Sequence, residues 1–207
     1  MTRVKICGLK TLEDVDKVNR YLPDYIGFVF ARTKRFVTDE QALAMKRALD
    51  DRIQAVGVFV DEPLEHVADL CAKGIIDMVQ LHGAESESYI RELKRKTDAR
   101  VIKAIRVQTP EQVAALMSDE ADYMLFDTYK KGELGGTGVR LQPEILEQSL
   151  ADIDKPFFLA GGLDPENVRE ASGRFNCFAV DVSTGVETDG VKDEEKIRRF
   201  IANVRGA

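Results

Sequence analysis

Cys7 closes a short apolar run, Arg3-Val4-Lys5-Ile6-Cys7, and stands directly before Gly8. Asp127 holds the same kind of position, after Met124-Leu125-Phe126. Each reads as a strand opening into a loop, where side chains carried by a rigid scaffold reach a site. A thiol and a carboxyl so placed are candidates for acid–base or nucleophilic chemistry. Glycine-rich turns at Gly161 and Gly185 are their companions. What these groups can do depends on the elements that bring them together.

Eight short apolar runs alternate with longer amphipathic stretches. The runs are Val4–Cys7, Tyr25–Phe30, Ala55–Val60, Met78–Leu81, Val101–Ile105, Tyr123–Phe126, Pro156–Ala160 and Phe178–Val182. They are short and rich in β-branched and aromatic residues, as buried parallel strands are. Between them, apolar residues recur at helical spacing: Leu12, Val15, Val18; Ala42, Met45, Leu49; Leu64, Val67, Leu70, Cys71; Ile90, Leu93; Val113, Leu116; Ile145, Leu146; and Ile197, Phe200, Ile201, Val204. Thr38-Asp39-Glu40, Thr109-Pro110-Glu111 and Asp164-Pro165-Glu166 resemble helix starts. Eight strand–helix units predict a parallel α/β architecture, and in 207 residues a compact (βα)8 TIM barrel as one domain over residues 1–207. An open doubly wound sheet is the runner-up. It needs a phosphate loop after the first strand, and Gly8-Leu9-Lys10 is not one. The long connection Thr128–Gln142 reads as a lid.

Composition narrows the function classes. A formal charge of −6 argues against nonspecific nucleic-acid binding. No apolar run approaches the ~20 residues of a membrane span, and the first strand starts too early to leave room for a signal peptide. Three scattered cysteines, none in a CxxC pair, suggest reduced thiols in a cytoplasm and no structural zinc.

In such a barrel the active site lies at the carboxyl ends of the strands. Those ends carry Cys7; Arg32-Thr33-Lys34-Arg35 after Phe30; Val60-Asp61; Gln80-Leu81-His82-Gly83; Arg106; Asp127; Gly161-Gly162; and Asp181-Val182-Ser183-Thr184-Gly185. Thiol, carboxylates, cations and glycine turns together suit proton transfer on an anionic, phosphorylated small molecule. Backbone N–H groups at the turns after strands seven and eight suit phosphate oxygens. The plainer alternative is that the glycines only permit tight turns.

Lys5-Ile6-Cys7-Gly8, Gly27-Phe28-Val29-Phe30, Val56-Gly57-Val58-Phe59-Val60, Val79-Gln80-Leu81-His82-Gly83, Gly135-Gly136-Thr137-Gly138, Leu159-Ala160-Gly161-Gly162-Leu163 and Asp181-Val182-Ser183-Thr184-Gly185-Val186-Glu187 run through the whole chain in order. Together they resemble the phosphoribosylanthranilate isomerase family of tryptophan biosynthesis. The resemblance implies a (βα)8 barrel that converts N-(5-phosphoribosyl)anthranilate into 1-(2-carboxyphenylamino)-1-deoxyribulose 5-phosphate without metal or organic cofactor. It also implies Asp127 as general acid and Cys7 as general base. Arg35 then holds the anthranilate carboxylate, and Gly161, Gly162, Ser183 and Thr184 hold the phosphate. His82 and Asp181 fall at substrate-side positions. The family includes monomers and dimers, so a monomer or homodimer is expected. One departure stands in the lid, where Val139-Arg140-Leu141-Gln142 replaces the family's lysine and aromatic stretch.

The implied roles need a protonated acid and an ionised base in one pocket. Burial of Asp127 beside Leu125 and Phe126 would favour its acid form. A thiolate needs nearby positive charge. Lys5 shares a strand face with Cys7, about 6–7 Å along it, and Lys103 is a second inward candidate. Lys5 is equally suited to pairing with an internal carboxylate such as Asp181, and the two roles are compatible. Cys71 and Cys177 read as core thiols and His66 as a solvated helix residue. Lys130 and Lys131 read as loop charges, and Glu92-Lys94-Arg95-Lys96 as an exposed helix face. Among competing functions, a histidine-pathway ProFAR isomerase uses aspartate where Cys7 stands. A ribulose-phosphate epimerase needs more metal ligands than the two histidines offer. A non-catalytic barrel protein needs neither Cys7 nor Asp127.

Overall fold

A computed structural model describes residues 1–105, 117–127 and 153–206. Eight parallel strands close into a barrel in chain order: β1 (Arg3–Cys7), β2 (Tyr25–Val29), β3 (Gln54–Phe59), β4 (Met78–Leu81), β5 (Arg100–Ile105), β6 (Tyr123–Asp127), β7 (Phe157–Ala160) and β8 (Ala179–Val182). Pairing of β8 back onto β1 excludes the open sheet. Among the described residues the helices are α1 (Leu12–Tyr21), α2 (Asp39–Ala48), α3 (Leu64–Ala72), α4 (Glu87–Lys96), α5 (Val168–Phe175) and α6 (Glu194–Arg205). After β8 come a 3-10 turn (Thr184–Val186) and a small antiparallel hairpin of β9 (Glu187–Thr188) and β10 (Val191–Lys192). The helix patterns at Val113–Leu116 and Ile145–Leu146, the start signal at Thr109, Arg106 and the Thr128–Gln142 connection with its Gly135–Gly138 motif, Lys130, Lys131 and Arg140 lie outside the described residues.

Local chemistry sets the boundaries. Thr11 and Asp14 form a reciprocal capping box at the start of α1, and Thr38 with Gln41 does the same for α2. The Asp164-Pro165-Glu166 signal is used differently. The Asp164 carboxylate accepts from the N–H groups of Glu166 and Asn167, an Asx turn, so α5 starts only at Val168.

Alternation along each strand produces two apolar layers. Val4, Ile6, Ile26, Phe28, Phe59 and Phe126 face the helices. Tyr25, Val56, Met78, Ile102, Leu125 and Phe158 fill the interior. Lys103 lies between Ile102 and Ala104, both interior. It therefore points outward, bonding Glu85 at 2.7 Å and the Gly83 carbonyl at 2.8 Å. The inward reading of Lys103 is wrong by one residue of alternation, which exchanges the faces of a strand.

Lys5 does point inward. It is fully buried, opposite Asp181 in the β1–β8 register, with its Nζ 3.0 Å from Oδ1. Burial alone would lower the Lys5 pKa, but the Asp181 charge and hydrogen bond raise it above its ordinary value. The pair sits on the seam that closes the barrel. Removing one partner from such a buried pair costs about 3–5 kcal/mol, because the other charge is stranded. Urea denaturation of Asp181→Ala is expected to show a loss of that size, and adding Lys5→Met to recover most of it.

Candidate active site

All nine site residues expected from the sequence line one cavity of about 390 Å3 at the carboxyl ends of the strands: Cys7, Arg35, His82, Asp127, Gly161, Gly162, Asp181, Ser183 and Thr184. Val29, Val58 and Leu125 add an apolar floor. A larger cavity of about 600 Å3 opens at the opposite end, among Arg3, Asp24, Arg52, Asp77 and Arg100. It holds neither the thiol nor the glycine turns, and Arg52 there is neutralised by Asp50 at 2.8 Å. The smaller cavity is the one with the constellation for chemistry.

Cys7 ends β1 on the inner face, two residues beyond Lys5. Gly27 opposite it leaves room for the sulfur, since a Cβ at position 27 would lie 2.7 Å from Sγ. Gly8 follows in the left-handed region at φ +84°. Burial pushes the Cys7 thiol above its ordinary pKa. Lys5 pulls it down, Asp181 pushes it up, and Lys192 pulls it down again. The net result is upward, so Lys5 opposes the desolvation of Cys7 without overcoming it.

Positive charge beside the thiol is organised by a residue the sequence reading did not assign. Glu187 takes Arg35 in a fork, Nε–Oε1 3.0 Å and Nη2–Oε2 2.9 Å, and also Lys192 at 2.8 Å. Burial favours protonated Glu187, but hydrogen bonds from Arg35 and Lys192 outweigh it and hold its pKa at about 2. Lys192 is buried and also donates to the Ser183 carbonyl at 3.0 Å. Among the described residues Glu187 takes only the Nε–Nη2 edge of Arg35, which leaves the Nη1–Nη2 edge with the geometry a carboxylate clamp needs. Hairpin β9–β10 carries both Glu187 and Lys192, and its short polar strands gave no sign of facing a site.

Across the mouth, His82 Nε2 stands 3.9 Å from Asp127 Oδ2, and Gln80 Nε2 donates to His82 Nδ1 at 3.1 Å. The Asp127 side chain is 41% exposed, which corrects the expectation of burial. Leu125 is interior and Phe126 faces the helices, whereas Asp127 reaches past them into the open mouth. Gln80 was read only as part of a strand end. It is 2% exposed and shares the inner face with His82.

The two glycine turns meet. Gly161 and Gly162 have φ of +96° and +65°, and Asn167 ties the Gly162 carbonyl to the start of α5 at 3.0 Å. A Cβ at Gly185 would collide with the Leu163 carbonyl oxygen, so glycine is what lets the strand-eight turn lie against the strand-seven turn. Ser183 Oγ donates to the Cys7 carbonyl at 3.0 Å, tying the turn to the thiol. Asp181 reaches the site chiefly through Lys5.

Other groups lie away from this mouth. Cys177 is a buried core thiol, and Cys71 is half-buried against the core. His66 is not simply solvated, since Glu62 and Asp39 hold its ring at 2.8 and 3.1 Å. Glu92, Lys94, Arg95 and Lys96 are exposed on α4, as read. Among the described residues, no helix is long and apolar enough to cross a membrane.

Comparison with known proteins agrees with this fold. The family model described as N-(5'-phosphoribosyl)anthranilate (PRA) isomerase matches residues 4–203. A relative named N-(5'-phosphoribosyl)anthranilate isomerase, from Endomicrobium trichonymphae, is 48% identical over 99% of both chains. A crystal structure of monomers generated from dimeric phosphoribosylanthranilate isomerase of Thermotoga maritima superposes with a TM-score of 0.84 at 34% identity, covering 100% of both chains. A second, of phosphoribosyl anthranilate isomerase in complex with reduced 1-(o-carboxyphenylamino)-1-deoxyribulose 5-phosphate, gives 0.84 at 33% identity with the same coverage. The chain belongs to the N-(5'-phosphoribosyl)anthranilate isomerase family.

Proposed function

We propose that this chain catalyses the Amadori rearrangement of N-(5-phosphoribosyl)anthranilate to 1-(2-carboxyphenylamino)-1-deoxyribulose 5-phosphate in tryptophan biosynthesis, with Asp127 as general acid and Cys7 as general base. The observation that carries the assignment is the convergence of Cys7, Asp127, Arg35 and the two glycine turns on one cavity. The complex of a relative with a reduced product supports it.

The steps follow from the groups present. Protonated Asp127 gives its proton to the ring oxygen. The C1–O bond breaks as the nitrogen lone pair forms C1=N, leaving an open-chain Schiff base. Thiolate Cys7 removes the C2 proton, and the C2–H electrons form C1=C2 while the iminium is neutralised. The enolamine then loses its hydroxyl proton and gains one at C1, giving the ketone. These proton transfers need no metal or organic cofactor. Gly161, Gly162, Ser183 and Thr184 hold the phosphate through the paired turns. Arg35 holds the anthranilate carboxylate, His82 stands beside the acid, and Asp181 acts from beneath through Lys5. Residues 1–207 act as one domain, cytoplasmic, as a monomer or homodimer.

The base must be ionised to work, and free Cys7 is held on the thiol side by burial. Lys5 carries the largest opposing effect, greater than the upward push from Asp181. Removing both charges in Lys5→Met/Asp181→Asn is therefore expected to raise the pH midpoint of Cys7 alkylation, measured with Cys71 and Cys177 replaced by alanine. A midpoint that stays or falls contradicts the role of Lys5. In a fluorescence assay on phosphoribosylanthranilate, Cys7→Ala and Asp127→Ala are each expected to lose roughly 10²–10⁴-fold in kcat. Wild-type rates in both variants contradict the assignment.

A further inference from the structure

Gln80 is a buried amide with one half in use. Its Cα neighbours across the sheet are Val58 and Ile102, and its side chain reaches the floor of the catalytic cavity at 2% exposure. Nε2 donates to His82 Nδ1 at 3.1 Å, whereas Oε1 is buried and accepts no hydrogen bond from the described residues. A native interior seldom leaves a side-chain acceptor in that state, and an orphan of this kind points to a donor that arrives with a ligand. An apolar residue would have filled the space without the penalty.

The used half constrains His82. An amide nitrogen only donates, so Nδ1 is the unprotonated ring nitrogen and the ring proton lies on Nε2. Nε2 is the atom 3.9 Å from Asp127 Oδ2. An N–H aimed there meets the negative charge that appears on Asp127 when its proton leaves.

We propose that Gln80 is a positioning residue on both counts: its N–H holds His82 in the tautomer that directs Nε2–H at Asp127, and its carbonyl oxygen receives a hydrogen bond from a hydroxyl of the sugar-derived chain. The substrate class rests on the function proposed above, but the tautomer does not. The chain has two histidines, so a ¹⁵N–¹H correlation spectrum of wild type and His66→Gln assigns the His82 ring directly. The expected ring carries its proton on Nε2, and Gln80→Glu, whose carboxylate only accepts, is expected to put a proton on Nδ1. A proton on Nδ1 in wild type means that the amide is turned the other way and overturns the positioning role. So does a ring whose Nδ1 stays unprotonated in Gln80→Glu.

The kinetic arm uses Gln80→Met, with circular dichroism to establish that it is folded. It is expected to lose roughly ten- to a hundredfold in kcat/KM, with KM raised and kcat lowered. Wild-type kcat/KM in the folded variant overturns the substrate contact. A wild-type protein that does not turn the substrate over defeats the proposed function instead, and the spectrum still decides the tautomer.

Discussion

The seam where β8 returns to β1 places a fully buried cation against Asp181 and beneath Cys7, and the rest of the site is arranged around it. A lysine in a barrel interior is tolerated only with a partner, so Asp181 is required first by the fold. Once paired, Lys5 remains a positive charge close to a thiol that burial has pushed away from ionisation. One ion pair thus joins closure of the barrel to the ionisation of the thiol at its mouth. Desolvation is the largest influence on Cys7, and the cations only reduce it.

The mouth divides by charge. Lys5, Lys192 and Arg35 gather on the side of the thiol, two of them organised by Glu187. Asp127 faces His82, and His82 rests on an uncharged amide. That division suits a reaction in which one group must carry negative charge while the other carries a proton. The glycine turns close the remaining side, and the collision that a Cβ at Gly185 would make with Leu163 explains how the two loops lie close enough to act as one surface.

Strand ends were legible from sequence because a buried parallel strand is a short apolar run that stops abruptly. Every strand lies within one residue of its run. Cys7, Asp127 and the glycine turns follow directly from those ends. Faces were harder to read. Lys5 was placed correctly but Lys103 was not, since one residue of register reverses inside and outside. Depth was harder still: the apolar neighbours of Asp127 belong to its strand, while its own side chain lies in the mouth. Glu187 ended a motif without a role and Lys192 was hidden, because their hairpin has two-residue strands with no periodicity. Their role comes from tertiary contact with Arg35. Gln80 was visible two residues before His82, but an orphaned oxygen is a property of packing that no spacing reveals.

The proposed division of labour has Asp127 opening the ring and Cys7 removing the C2 proton. Rates with substrate deuterated at C2 test it most directly. If Cys7 is the base, Cys7→Ser slows the C–H step and expresses a full primary isotope effect. If Asp127 is the acid, Asp127→Asn slows the earlier ring opening and suppresses that effect. Equal isotope effects in the two variants, or the larger one in Asp127→Asn, would contradict the account.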